Sequence, residues 1–140
     1  AMNDEAKFSA FKQQAIDNNE ATYGQEVRER YGDAAADETN TALMGLSREE
    51  YAAWNELDYT LRQRLEQAVE MGLSPDSAEG REICELHRRW LSVTDKKLTA
   101  AKQKGIAELY VLDERFTRYY DKTVPGCACF LRDAAARWAK

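Results

Sequence analysis

The chain has little of what catalytic and secreted domains are built from. In 140 residues it holds one histidine, two prolines and three cysteines. Cys84, Cys127 and Cys129 are too few, and odd in number, for a disulfide framework. No secretory leader opens the chain, so the cytoplasm is the expected location. No apolar run approaches the ~20 residues that span a bilayer, which argues against a membrane partner. Ala1 ahead of Met2 looks like an added residue, and the visible start is expected to be an artificial boundary. An uncompensated basic stripe is also missing. Net charge is −5, and arginines alternate with acids in Arg28-Glu29-Arg30 and Asp113-Glu114-Arg115, whereas a duplex-binding face must present unneutralised cations to phosphate.

Signatures of catalysis are absent in the same way. There is no phosphate-cradling glycine loop, no HExxH and no GxSxG. The single His87 stands beside Leu86 and Trp90 on a helical pattern and reads first as a packing or hydrogen-bonding residue, since a base needs a nucleophile that spacing cannot supply. Cys127-Ala128-Cys129 puts two thiols two residues apart, where helical side chains diverge and cannot readily chelate one ion. Asp113-Glu114 reads as a helix-start pair facing the dipole. No enzyme activity, metal or cofactor is expected.

What remains is helix. A chain of this length buries roughly 68–70% of its unfolded surface, enough for one core without staples. The composition favours helix, and no run of alternating β-branched residues suggests a strand. Phe8, Phe11 and Ala15 form a stripe too thin to pack firmly. A second helix is predicted over residues 20–31, closed by Gly32. Ser47-Arg48-Glu49-Glu50 is a capping box opening a long helix with Tyr51, Trp54, Leu57, Leu61, Leu65 and Ala68 on one face, closed by Gly72. Ser74-Pro75 is expected to cap the next helix, Thr94-Asp95 another, Asp113 a short one and Thr123-Val124-Pro125-Gly126 the last. Residues 47–140 therefore read as one compact unit, and residues 1–46 as a weakly ordered segment that can fold on a ligand.

Several of these stretches together resemble the TipA-like (TipAS) antibiotic-recognition domain of MerR-type transcription activators. The most specific is Leu109-Tyr110-Val111-Leu112-Asp113-Glu114-Arg115-Phe116-Thr117-Arg118-Tyr119-Tyr120. Glu26-Val27-Arg28-Glu29-Arg30-Tyr31-Gly32, Ser47-Arg48-Glu49-Glu50, His87-Arg88-Arg89-Trp90-Leu91 and Pro125-Gly126 through Phe130-Leu131-Arg132-Asp133-Ala134 follow the family order. The resemblance implies an all-α, globin-like fold with a ligand cleft and a mobile N-terminal segment. It implies a small hydrophobic ligand such as a thiopeptide or other antibiotic, and DNA contact only through an N-terminal winged helix-turn-helix domain outside this chain. The isolated domain is expected to be monomeric and the full-length relative dimeric. Covalent capture in this family uses a cysteine in the helix before Leu-Tyr-Val. Here that helix carries Leu98, Ala101 and Gly105, so binding is expected to be reversible.

The cleft is expected on the helices bearing His87, Trp90, Leu91, Leu98, Ala101 and Gly105. Leu109, Tyr110, Phe116 and Tyr119 are expected nearby, although Trp90, Leu109 and Phe116 also suit a core. Rival readings are a stand-alone drug-sequestering protein, a helical protein-interaction module, and a haem carrier with His87 as axial ligand.

Overall fold

A computed structural model describes residues 3–140, with the side chains of Thr22 and Tyr23 outside the description. Ala1 and Met2, on which the expectation of an added residue fell, also lie outside it. Every regular element among the described residues is helical: α1 (Asp4–Asn19), a π-helical turn (Glu20–Gly24), α2 (Gln25–Tyr31), α3 (Asp33–Met44), α4 (Arg48–Glu70), α5 (Ala78–Thr94), α6 (Ala100–Leu112), α7 (Glu114–Asp121) and α8 (Cys127–Trp138).

The strongest local signals act as their chemistry dictates. The Ser47 Oγ accepts the Glu50 amide at 3.1 Å while the Glu50 carboxylate accepts the Ser47 amide at 2.9 Å, so both ends of the capping box close. Gly72, at φ 67°, ends α4. The Leu73 amide then returns to the Ala68 carbonyl and that of Gly72 to Val69, the paired bonds that a left-handed residue makes possible. Asp113 caps α7 through the Arg115 amide.

Two helix starts differ from expectation, each about one turn later. Ser77, not Ser74, caps α5, with the Gly80 amide donating to its Oγ at 3.2 Å. Ser74 instead accepts the Asp76 amide in a turn. Thr99, not Thr94-Asp95, caps α6; α5 runs on to Thr94, and Asp95 forms a turn that accepts the Lys97 amide. In both places a Ser or Thr lay on either side of the true start, and local sequence alone does not rank two competent caps.

The main core lies between α4, α5, α6 and α8. Leu61, Leu65, Ile83, Ala107, Leu131 and Ala134 are fully or almost fully buried there. The alanines of α8 let its neighbours approach closely, and the buried Leu and Ile side chains contribute roughly 1.5–3 kcal/mol each. Residues 4–44 are helical and dock on this core. A second cluster of Ile16, Leu43 and Leu46 packs against Tyr51, Trp54 and Val93. The α1 stripe is shifted from the expected one: Phe11 is 64% exposed, whereas Lys12 and Ile16 are buried. Lys12 turns inward because its Nζ donates to the Leu46 carbonyl at 3.0 Å and to that of Met44, capping the end of α3 with a charge of the favourable sign.

Candidate functional site

Between the docked N-terminal helices and the core lies a cavity of about 450 Å³, within the usual range for small-molecule sites. Its outer wall comes from the end of α1 through α3, including Glu20, Val27, Tyr31, Ala35, Thr39 and Asn40. Its inner wall comes from α4 to α7, with Trp54, Asp58, Lys102, Ile106 and Tyr120 among its residues. The π-helical turn places both Glu20 and Gly24 on this wall, and such turns recur at functional sites.

Six of the ten residues expected at a cleft line the cavity: Trp90, Leu91, Leu109, Tyr110, Phe116 and Tyr119. His87, Leu98, Ala101 and Gly105 are not among the lining residues. Ala101 is solvent-exposed on the far side of α6. Gly105 receives the N-terminal helices instead. A Cβ there would lie 2.5 Å from the Tyr31 Oη, and Arg30 donates to the Gly105 carbonyl at 2.9 Å. Gly105 is thus a docking notch. Gly105→Ala is expected to push Tyr31 out while leaving the α4–α8 core within about 1 kcal/mol of its stability, alanine being the better helix former. Amide exchange should accelerate in residues 25–44 and stay unchanged in α8. Equal protection of residues 25–44 in both proteins would contradict the notch.

His87 lies beneath the cavity, fully buried. Gln103 Nε2 donates to the Cys84 carbonyl at 3.0 Å and faces His87 Nδ1 at 3.2 Å. The amide therefore spends one hydrogen on each, which leaves His87 Nε2 to carry the ring proton and donate to Tyr110 Oη at 3.1 Å. Burial lowers the histidine pKa to about 3. A second ring proton would also point at the Gln103 amide hydrogens. Both nitrogens are engaged, so the haem-ligand reading of His87 fails. Its work is to hold Tyr110, whose ring packs on Phe116 and Tyr120 at 5.2 and 4.7 Å between centroids. Burial holds the Tyr120 hydroxyl protonated, far above its ordinary range.

One end of the cavity is a stack of rings. Tyr51 stacks on Trp54 at 5.7 Å and Trp54 on Trp90 at 5.8 Å, with interplanar angles of 25° and 18°. Phe8 of α1 meets Tyr51 edge-on. The Trp90 Nε1 is buried without a hydrogen-bond partner among the described residues, an arrangement that costs roughly 1–3 kcal/mol. At the polar margins Asp58 accepts from Tyr119 Oη at 3.2 Å and Arg62 Nε at 3.2 Å, and Asp95 holds Lys102 at 2.6 Å. Glu20 accepts from Arg28 at 2.6 Å and Asn40 at 2.7 Å. The Arg28 hydrogen bond keeps its carboxyl below the usual range.

None of the three cysteines lines the cavity. Cys84 and Cys127 are buried, and burial raises both thiols, that of Cys127 to about 12, so neither offers a thiolate nucleophile. The part of the outer wall that α3 supplies gives little signal in the sequence because its residues are small or polar. Ala35, Ala36, Thr39 and Asn40 do recur at a three-to-four spacing, the pattern of one helix face.

Comparison with known proteins adds the following. Residues 23–138 match the model of the TipAS antibiotic-recognition domain. The HTH-type transcriptional activator TipA of Streptomyces coelicolor is 30% identical over 138 residues, covering 93% of this chain and 50% of its own length. The HTH-type transcriptional activator mta of Bacillus subtilis is 29% identical over 133 residues, covering 95% and 51%. The chain thus spans about half the length of these relatives. The solved structure of Streptomyces lividans TipAS in complex with nosiheptide, part of a thiopeptide antibiotic multidrug resistance system, superposes with a TM-score of 0.68 at 28% identity, covering 98% of this chain and 94% of that one.

Proposed function

Because the chain belongs to the TipAS antibiotic-recognition domain family, we propose that it is the effector-sensing half of a MerR-type activator, binding a bulky apolar antibiotic-like molecule reversibly and catalysing nothing. The observation that carries this reading is the aromatic cavity between the docked helices α1–α3 and the core. Trp90, Leu91, Leu109, Tyr110, Phe116 and Tyr119 make the inner contacts to the ligand. Reversibility follows from thiols that are either buried or away from the cavity.

The N-terminal helices act as the moving part. They hold to the core through one small apolar cluster, the Phe8–Tyr51 edge contact, Tyr31 seated at Gly105 against the main core, and polar contacts that include Arg115 with Glu26, Arg30 with the Gly105 carbonyl and Glu108, and Lys97 with Glu38. Exposed pairs of this kind are worth about 0–1 kcal/mol each, so the cost of opening α1–α3 is set by their apolar contacts. A ligand filling the cavity adds the apolar contact that keeps them closed. In the intact cytoplasmic protein that ordering is passed to an attached DNA-binding dimer, which supplies all contact with DNA.

The test is a thermal-shift series against thiopeptides, nosiheptide included, and other apolar antibiotics. A true ligand is expected to stabilise the domain by about 2.7 kcal/mol at a hundred times its dissociation constant and to slow amide exchange throughout residues 4–44. A tight ligand that leaves exchange in those residues unchanged would falsify the moving-helix mechanism.

A further inference from the structure

The lining of the cavity carries an uneven charge as well as a shape, and the inference drawn from it rests on the ligand-sensing reading above. Glu20, Asp58 and Asp95 all reach the cavity, against a single basic side chain among its described residues, Lys102, which pairs with Asp95. The other cations that pair these acids stand behind the wall. Arg62 lies beyond Asp58, and Arg28 serves Glu20 together with Asp33 and Asp37, so one guanidinium is shared among three carboxylates. Low-dielectric walls bearing one excess sign focus the field inside a cleft.

The aromatic end is the second element. Trp54 has a ring on both sides, Tyr51 and Trp90, whereas among the described residues the one ring against Trp90 is Trp54. Trp90 is therefore the terminal ring of the stack, and it lines the cavity. A planar ring entering there continues the stack, and a positive charge on it gains from the indole face as well as from the acids. An anion of the same shape meets three carboxylates. The enclosed volume of about 450 Å³ suits a drug-sized molecule.

We propose that this cavity is selective for drug-sized planar aromatic cations, seated on the end of the Tyr51–Trp54–Trp90 stack with their charge toward Asp58 and Asp95. The experiment is quenching of tryptophan fluorescence by three probes of similar size: ethidium as the planar cation, 1-aminoanthracene as the neutral ring and 1-anilinonaphthalene-8-sulfonate as the anion. Nosiheptide is followed alongside by thermal shift. Ethidium is expected to bind at least about tenfold more tightly than either other probe. Asp58→Asn and Asp95→Asn should each erase much of that margin, weakening ethidium by a larger factor than 1-aminoanthracene. Equal or tighter binding of the neutral or anionic probe overturns the charge selectivity and leaves the ligand-sensing reading intact. The same holds if nosiheptide stabilises the domain and no probe binds. Failure of ethidium, of the other probes and of nosiheptide together would overturn both.

Discussion

Between pH 7 and pH 5 the domain is expected to lose about 2 kcal/mol of stability through one side chain, His87. In the folded chain the imidazole is fully buried and stays neutral down to about pH 3, whereas its ordinary value is 6.5. The unfolded chain therefore takes up a proton through a window in which the folded chain does not. Protons favour unfolding there, and the contribution is fully present above pH 6.5 and shrinks as pH falls. Above pH 5 few ordinary carboxylates titrate, so the upper part of the window isolates the histidine. His87→Ala should itself cost about 3 kcal/mol, because it leaves a void and takes the acceptor from one hydrogen of the buried Gln103 amide. His87→Gln retains a donor and an acceptor and should cost less. Urea unfolding at pH 7, 6 and 5 checks this. The native protein should lose stability across the series and the glutamine variant should stay nearly flat. Parallel slopes in the two proteins would remove His87 as the cause.

The same histidine shows what was and was not legible in the sequence. Its neighbours Leu86 and Trp90 marked it as interior, and that is where it lies. Proximity to a cleft did not reveal that it supports the cavity through Tyr110 and never reaches the lining. Features fixed within a turn of chain were readable: the Ser47–Glu50 box, the Gly72 stop and the Asp113 cap depend on neighbours three or four residues away. Features fixed by tertiary contact were not. The burial of Lys12 follows from the Met44 and Leu46 carbonyls, more than thirty positions away in the chain, that tertiary packing brings to it. Gly105 reads as room for a ligand or as a place for close helix packing, and only Tyr31, arriving from 74 positions earlier in the chain, decides for packing. The helix α3 went unread because its alanines and threonines carry weak apolar periodicity, and its inner face is the outer wall of the cavity. Of the recognisable family stretches, residues 109–120 supply much of the inner wall, where their aromatics pack and line the cavity at once, and residues 26–32 bring Val27 and Tyr31 to the outer wall. The α3 face of the outer wall is built from small and polar residues, which leave little pattern.

The substitution with the largest structural effect is expected at Gly80, in the first turn of α5. A Cβ built there would lie 1.9 Å from the Pro75 carbonyl oxygen and 2.6 Å from its carbon. Those are backbone atoms of the α4–α5 connection, so no rotamer change relieves the overlap. Nor is the carbonyl free to retreat, because it also accepts the Trp138 Nε1 hydrogen at 3.0 Å. The turn, the start of α5 and the end of α8 therefore meet at one point. Relief requires moving α5, which carries Ile83, Cys84 and His87 into the core and Trp90 and Leu91 to the cavity. Overpacking of this kind costs typically 1–3 kcal/mol where neighbours can shift. With backbone on the far side, Gly80→Ala should cost about 3 kcal/mol, lowering the melting temperature by roughly 10 °C. Since α5 supplies Trp90, a displaced helix should also disturb the Trp54–Trp90 stack. Near-ultraviolet circular dichroism then changes even at temperatures where the variant remains folded. Trp138→Phe separates the two roles of the carbonyl: it removes the hydrogen bond and leaves the Gly80 contact, and should cost only about 1 kcal/mol. A Gly80→Ala protein that melts within a degree or two of the native one, with an unchanged aromatic spectrum, would mean that the α4–α5 connection yields. The position of Trp90 would then be set by the cavity's other helices.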